Sequence, residues 1–94
     1  GVLQDYKEAV RLYRLAAEQG HASAQGNLGV RYAFGKGIIK DYVYAHMWGN
    51  IASMNGNDKG ALLRDDFAEK MTSSQIEEAQ RLARECIKKN YKGC

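Results

Sequence analysis

The chain has no proline, only two cysteines and one tryptophan in 94 residues, and charge of neither sign collects into a block. Without proline nothing covalent forces a helix to stop, so helix boundaries must be set by caps and glycines. Cys86 and Cys94 are too few for a disulfide framework. Neither has the further Cys or His at short spacing that a structural zinc site needs. Lys and Arg alternate with Asp and Glu, and a net charge of +3 is mild, which argues against nucleic acid as a partner. No apolar run approaches the ~18 residues of a bilayer span, so membrane insertion is not expected of these residues. The chain opens on Gly1 without Met, and a leader or further units ahead of it are compatible with the sequence.

What is present is a phrase written twice. Gly1-Val2-x-x-Asp5-Tyr6-x-x-Ala9 recurs 36 residues later as Gly37-Ile38-x-x-Asp41-Tyr42-x-x-Ala45, and Ala16 and Gly20 recur as Ala52 and Gly56. A period of this length marks stacked supersecondary units. The identities fall on small residues, an acid suited to capping and an aromatic, so they describe one packing solution used twice rather than a reaction site.

Ala9, Leu12, Tyr13, Ala16 and Ala17 recur at three-and-four spacing among charged residues, predicting an amphipathic helix from Asp5, its N-cap, to Gln19. Gly20 suits the left-handed position that closes it. Ala24, Leu28 and Tyr32 predict a second helix. Its Gly26 and Gly29 each cost about 1 kcal/mol against Ala in a helix interior, which implies close approach to a neighbour, expected to be the first helix. Gly35-Lys36-Gly37 ends it, and Asp41 caps a third helix that Gly56 closes. A fourth is expected from about Asp58 to Lys70, with the second helix's Leu28-Gly29 and Tyr32 replaced by Arg64-Asp65 and Ala68, as suits a unit that faces solvent. Thr72-x-x-Gln75 reads as a capping box for a fifth helix, with Ile76, Ala79, Ala83, Cys86 and Ile87 on one face and Glu77–Arg81 and Glu85–Lys89 pairs on the other. That helix is expected to lie as a lid on the apolar edge of the stack.

The run Ala24-x3-Leu28-Gly29-x2-Tyr32-x2-Gly35-x-Gly37-Ile38-x2-Asp41-x3-Ala45-x2-Trp48-x3-Ala52-x3-Gly56 is similar to the Sel1-like repeat, a relative of the tetratricopeptide repeat. Gly49 departs from the pattern, standing where the family usually has an aromatic that Tyr13 supplies in the first copy; Ser53 stands where the first copy has Ala17. The resemblance implies an all-α fold: an α/α solenoid of antiparallel helix pairs with a C-terminal capping helix. It divides the chain into a half repeat at 1–20, a full repeat at 21–56 and a degenerate half repeat with its cap at 57–94. It further implies a scaffold that holds a protein or peptide on a concave face, without catalysis or cofactor. The alternative is a hydrolase, since a few cysteine-rich relatives are linked to cell-wall or β-lactam chemistry. The same relatives carry bridges between cysteines eight apart, the separation of Cys86 and Cys94. Here a bridge requires the tail to fold back until the Cα atoms lie within about 7 Å; otherwise Cys86 is a small buried hydrophobe and Cys94 a mobile thiol.

Candidate partner-binding residues are Arg11, Arg14, Tyr44, His46, Met47 and Asn50, taken as surface positions that packing does not need. Tyr44, His46 and Met47 are large where the other copy has Glu8, Val10 and Arg11. Trp48, at the repeat position of Leu12, is read as core, and Tyr6 and Tyr42 as bridges between neighbouring helices. His21 and His46 lack a carboxylate or cysteine at metal-ligand spacing, so no metal is expected. The Gly29 to Gly37 stretch fails as a phosphate loop, having the wrong glycine spacing, no Ser or Thr after Lys36 and no preceding strand. No nucleophile and base stand at a recognisable spacing for the hydrolase alternative. A basic patch at Arg81, Arg84, Lys88, Lys89 and Lys92 is diluted by Glu77, Glu78 and Glu85.

Overall fold

A computed structural model describes residues 1–94 and contains five helices: α1 (Val2–Glu18), α2 (Ala22–Phe34), α3 (Tyr42–Met54), α4 (Asp58–Ala68) and α5 (Ser73–Lys88). α2 packs between α1 and α3 and also touches α4, while α3 packs on α2, α4 and α5. The fold is therefore a helical solenoid whose last helix is laid onto α3 instead of extending the stack.

The helix ends follow side-chain chemistry. Asp41 accepts the Tyr44 amide at 3.2 Å, Asn57 accepts that of Gly60 at 3.0 Å, and Thr72 and Gln75 close a reciprocal capping box. Gly20 and Gly56 both lie at positive φ, as the repeat requires. Asp5 is not the cap expected of it. α1 begins a turn earlier, because nothing in Val2-Leu3-Gln4 interrupts it, and the Asp5 amide donates to the Gly1 carbonyl inside the first turn. An acid there still complements the helix dipole.

The glycines of α2 meet α3 and the start of α4, not α1; nearest to Gly29 is the Leu63 side chain of α4. A Cβ on Gly29 would lie 3.3 Å from the Ala45 carbonyl oxygen and 3.4 Å from the Gly49 nitrogen. One on Gly26 would lie 2.9 Å from Asn57 Oδ1 and 3.8 Å from Ala52 Cβ. The same logic accounts for Gly49 replacing an aromatic: a Cβ on it would lie 2.9 Å from the Gly60 carbonyl, so α3 and α4 cross backbone to backbone. Where α1 meets α2, the corresponding pair is Tyr13 and Ala24, and such an approach is not required.

The main core joins Val10 and Ala17 of α1, Leu28 of α2, Met47, Trp48 and Ile51 of α3, and Ala83 and Cys86 of α5. A smaller cluster of Ala33, Ala45 and Leu63 sits between α2, α3 and α4. Beyond α5 the chain folds back through left-handed Asn90 and Tyr91, and Cys86 is bridged to Cys94 with Cα atoms 5.7 Å apart. The tail thereby reaches α1: Lys92 Nζ donates to the Glu18 carbonyl at 2.8 Å, and the Tyr91 ring lies against Gly20. Arg81 pairs with Glu78 and Glu85 rather than Glu77, and Lys89 forms no ion pair. No helix is long and apolar enough to cross a membrane.

Candidate functional site

The six sequence candidates separate into three groups. His46 and Met47 are not surface residues; their exposures are 3% and 1%. Met47 belongs to the core cluster that α5 joins through Ala83 and Cys86. Its repeat counterpart Arg11 is exposed, since α1 carries no helix in the position that α5 takes on α3. A large apolar residue in one copy alone thus marks an internal partner that is itself not repeated. His46 occupies the position of Val10, a core site of the repeat, and feels the charges of Arg64 and Asp65 of α4. Burial first, and then the nearby Arg64 cation, hold its imidazole below the ordinary histidine pKa. Its Nδ1 makes no hydrogen bond.

Arg11 and Asn50 are engaged locally. The Arg11 guanidinium is 2.6 Å from Glu8 one turn away, and its hydrogen bonds lower the Glu8 carboxyl pKa. Asn50 Oδ1 accepts from Arg64 of α4 at 3.4 Å.

Arg14 and Tyr44 are brought together by a residue that sequence reasoning read only as packing. Arg14 Nη2 donates to the Tyr32 hydroxyl at 2.8 Å, and the Tyr32 ring stacks on that of Tyr44 at 5.5 Å between centroids. The three side chains come from α1, α2 and α3, and all are half-buried. Position 32 follows Leu28 by one turn, so the α2 face that feeds the core ends in a hydroxyl at the surface. That amphipathic ending was the available signal. Tyr6 also bridges neighbouring helices, but through a cation: the Arg31 guanidinium of α2 lies 5.1 Å from its ring centre. Tyr42 reaches α4 by ring contact with Phe67 at 5.1 Å.

The arrangement has the parts of a recognition surface: two stacked planar side chains with a guanidinium bonded to the hydroxyl of one of them. The two thiols are joined to each other, and no hydroxyl or thiol is hydrogen-bonded to either histidine. No three His, Cys, Asp or Glu side chains gather at a point.

The comparisons with known proteins agree with the architecture. The family model of the Sel1 repeat matches residues 1–21 and again 22–57. A protective antigen present in uropathogenic Escherichia coli strains, displaying an SLR fold, superposes with a TM-score of 0.84 at 33% sequence identity. The match covers 92% of this chain but 20% of that protein, so the chain spans about a fifth of its length. No curated protein matches the chain. The Sel1 repeat fold is typically a protein-interaction scaffold and generally non-catalytic. With two consecutive matches to the repeat, five helices and no strand, the chain belongs to the Sel1 repeat family.

Proposed function

We propose that the chain is a non-catalytic peptide-binding module whose contact surface is centred on Arg14, Tyr32 and Tyr44, with Arg11 and Asn50 at its rim. The observation that carries this reading is the half-buried Arg14–Tyr32–Tyr44 stack, built by three different helices. Tyrosine and arginine are, with tryptophan, enriched among the residues that dominate binding energy; tyrosine offers wide contact area at low entropic cost, and arginine a planar fork of donors. α5 supports the reading by filling the α3 side of the apolar seam, which leaves the polar and aromatic end as the accessible part. The capture of a peptide on a pre-formed helical surface needs no cofactor and no titrating group.

The test is selection of a random peptide library on the immobilised domain, followed by rebinding to an Arg14→Ala/Tyr44→Ala double variant. Enriched peptides are expected to bind the variant at least tenfold more weakly, since removing one hot-spot side chain costs ~2 kcal/mol or more. Equal binding by a double variant with unchanged helical circular dichroism overturns this surface.

A further inference from the structure

The surface opens where the connection between α2 and α3 meets the first two turns of α1. The opening is a groove of about 450 Å³ lined by Leu3, Lys7, Gly35, Gly37, Ile38 and Ile39. We infer that this groove docks an extended peptide segment carrying aliphatic side chains beside carboxylates. The proposal goes beyond the reading above, because the groove shares no lining residue with Arg14, Tyr32 or Tyr44.

Three observations carry it. The first is apolar surface left in the open. Ile39 is 87% exposed, and Leu3 is also mostly exposed. Leaving such side chains in water costs free energy that a partner would recover.

The second is charge without a counter-charge. Lys7 is the one charged residue of the lining, and Lys36 and Lys40 flank it on the connection. None of the three is in an ion pair: Lys36 rests 5.4 Å from the Tyr6 ring centre and Lys40 4.9 Å from that of Tyr42. The neighbouring acids do not reach in. Asp41 caps α3, Glu8 holds Arg11, and Asp5, two residues before Lys7, projects about 200° round the helix from it. A carboxylate entering the groove meets the unneutralised Lys7, with Lys36 and Lys40 adding positive charge nearby.

The third is free main chain on a fixed frame. The amides of Gly37, Ile38, Ile39 and Lys40 donate to no acceptor in the chain. The segment is nonetheless held at both ends, by Lys36 N to Arg31 O at 3.2 Å and Asp41 N to Tyr32 O at 2.9 Å. Gly37, at φ +81°, lies so close to the Tyr6 carbonyl that no side chain fits there. Donors on a connection pinned at both ends can pair with a peptide backbone at little ordering cost. A concave opening between two elements, rather than a flat apolar face, selects a side chain over a bilayer.

The experiment is amide chemical-shift mapping with three probes: an acetylated hexapeptide of alternating leucine and glutamate, its leucine–lysine counterpart, and phosphatidylglycerol vesicles. Expected are shifts confined to Lys7 and Gly35–Asp41 with the acidic peptide, weakened at least tenfold by Ile39→Asp and by Lys7→Glu. Both side chains are exposed, so thermal unfolding of each variant should match the parent and keep a folding defect from imitating lost binding. Equal binding of the lysine peptide, shifts elsewhere, or no shifts at millimolar peptide overturns the proposal. So does association with vesicles, but not peptide, that depends on Ile39. Since Arg14 and Tyr44 are untouched, failure here leaves the other surface standing, and the reverse also holds.

Discussion

At the level of single residues, the fold depends on atoms that are missing as much as on those present. Gly60 is the sharpest case. A methyl group there would lie 2.5 Å from the Gly49 carbonyl oxygen and 2.8 Å from both Ala52 Cβ and the Ser53 nitrogen. All three are backbone or the stub of a side chain, so none can swing aside, and α4 must shift off α3. Gly60→Ala is therefore expected to destabilise the chain by ~2 kcal/mol in urea titration, despite Ala's better helix propensity. His46 supplies a second residue-scale prediction. Its folded pKa lies below the ordinary value, so as pH falls through about 6.5 the unfolded chain takes up a proton that the native chain refuses. Stability contributed by the neutral imidazole is present above that point and lost below it, down to the folded pKa. The loss is roughly 1.4 kcal/mol for each unit of depression. Urea midpoints measured between pH 7.5 and 5 should fall in the parent, and the fall should be smaller in His46→Leu; an identical slope in both would remove His46 as its source.

At the level of elements, α5 is the piece that the repeat does not explain and that the stack cannot spare. Its start is fixed by the Thr72–Gln75 capping box, and Thr72→Ala should cost about 1 kcal/mol. Its end is fixed by the Cys86–Cys94 bridge, which closes a short loop and sets Tyr91 and Lys92 against α1 and α3. Reduction is expected to remove up to ~2.5 kcal/mol by the loop-entropy argument and to accelerate hydrogen exchange in the last turn of α5 before anywhere else. Exchange rates in that turn that are unchanged by reductant would show that the tail holds without the bridge. Most of this architecture is legible in the sequence because caps, closing glycines and three-and-four spacing are local signals. Asp41, Thr72, Gly20 and Gly56 each act where their residue type predicts. What local signals cannot carry is which neighbour a face meets. Gly26 and Gly29 announce a close approach but not to α3, and Met47 announces a contact but not that α5 supplies it. The first answer depends on how neighbouring units stack and the second on the non-repeating helix returning along the stack, neither of which a local periodicity encodes.

For the molecule as a whole, the same repeat position is asked to do opposite things at its two ends. Trp48 and Ile51 are fully buried, whereas their counterparts 36 residues earlier, Leu12 and Leu15, are each 52% exposed. α3 is covered by α2, α4 and α5, while α1 packs chiefly on α2 alone. Burial is therefore graded along the stack, and so must be the cost of substitution. Trp48→Ala opens a cavity amid the main cluster and is expected to cost 3 to 5 kcal/mol, roughly, enough to unfold a domain of this size. Leu12→Ser removes atoms that are already half in water and should shift stability by under about 1 kcal/mol. Equal losses for the two substitutions in urea titration would mean that this chain buries α1 as deeply as α3, for example by association through the Leu12 face. In that case the unfolding midpoint would also rise with protein concentration.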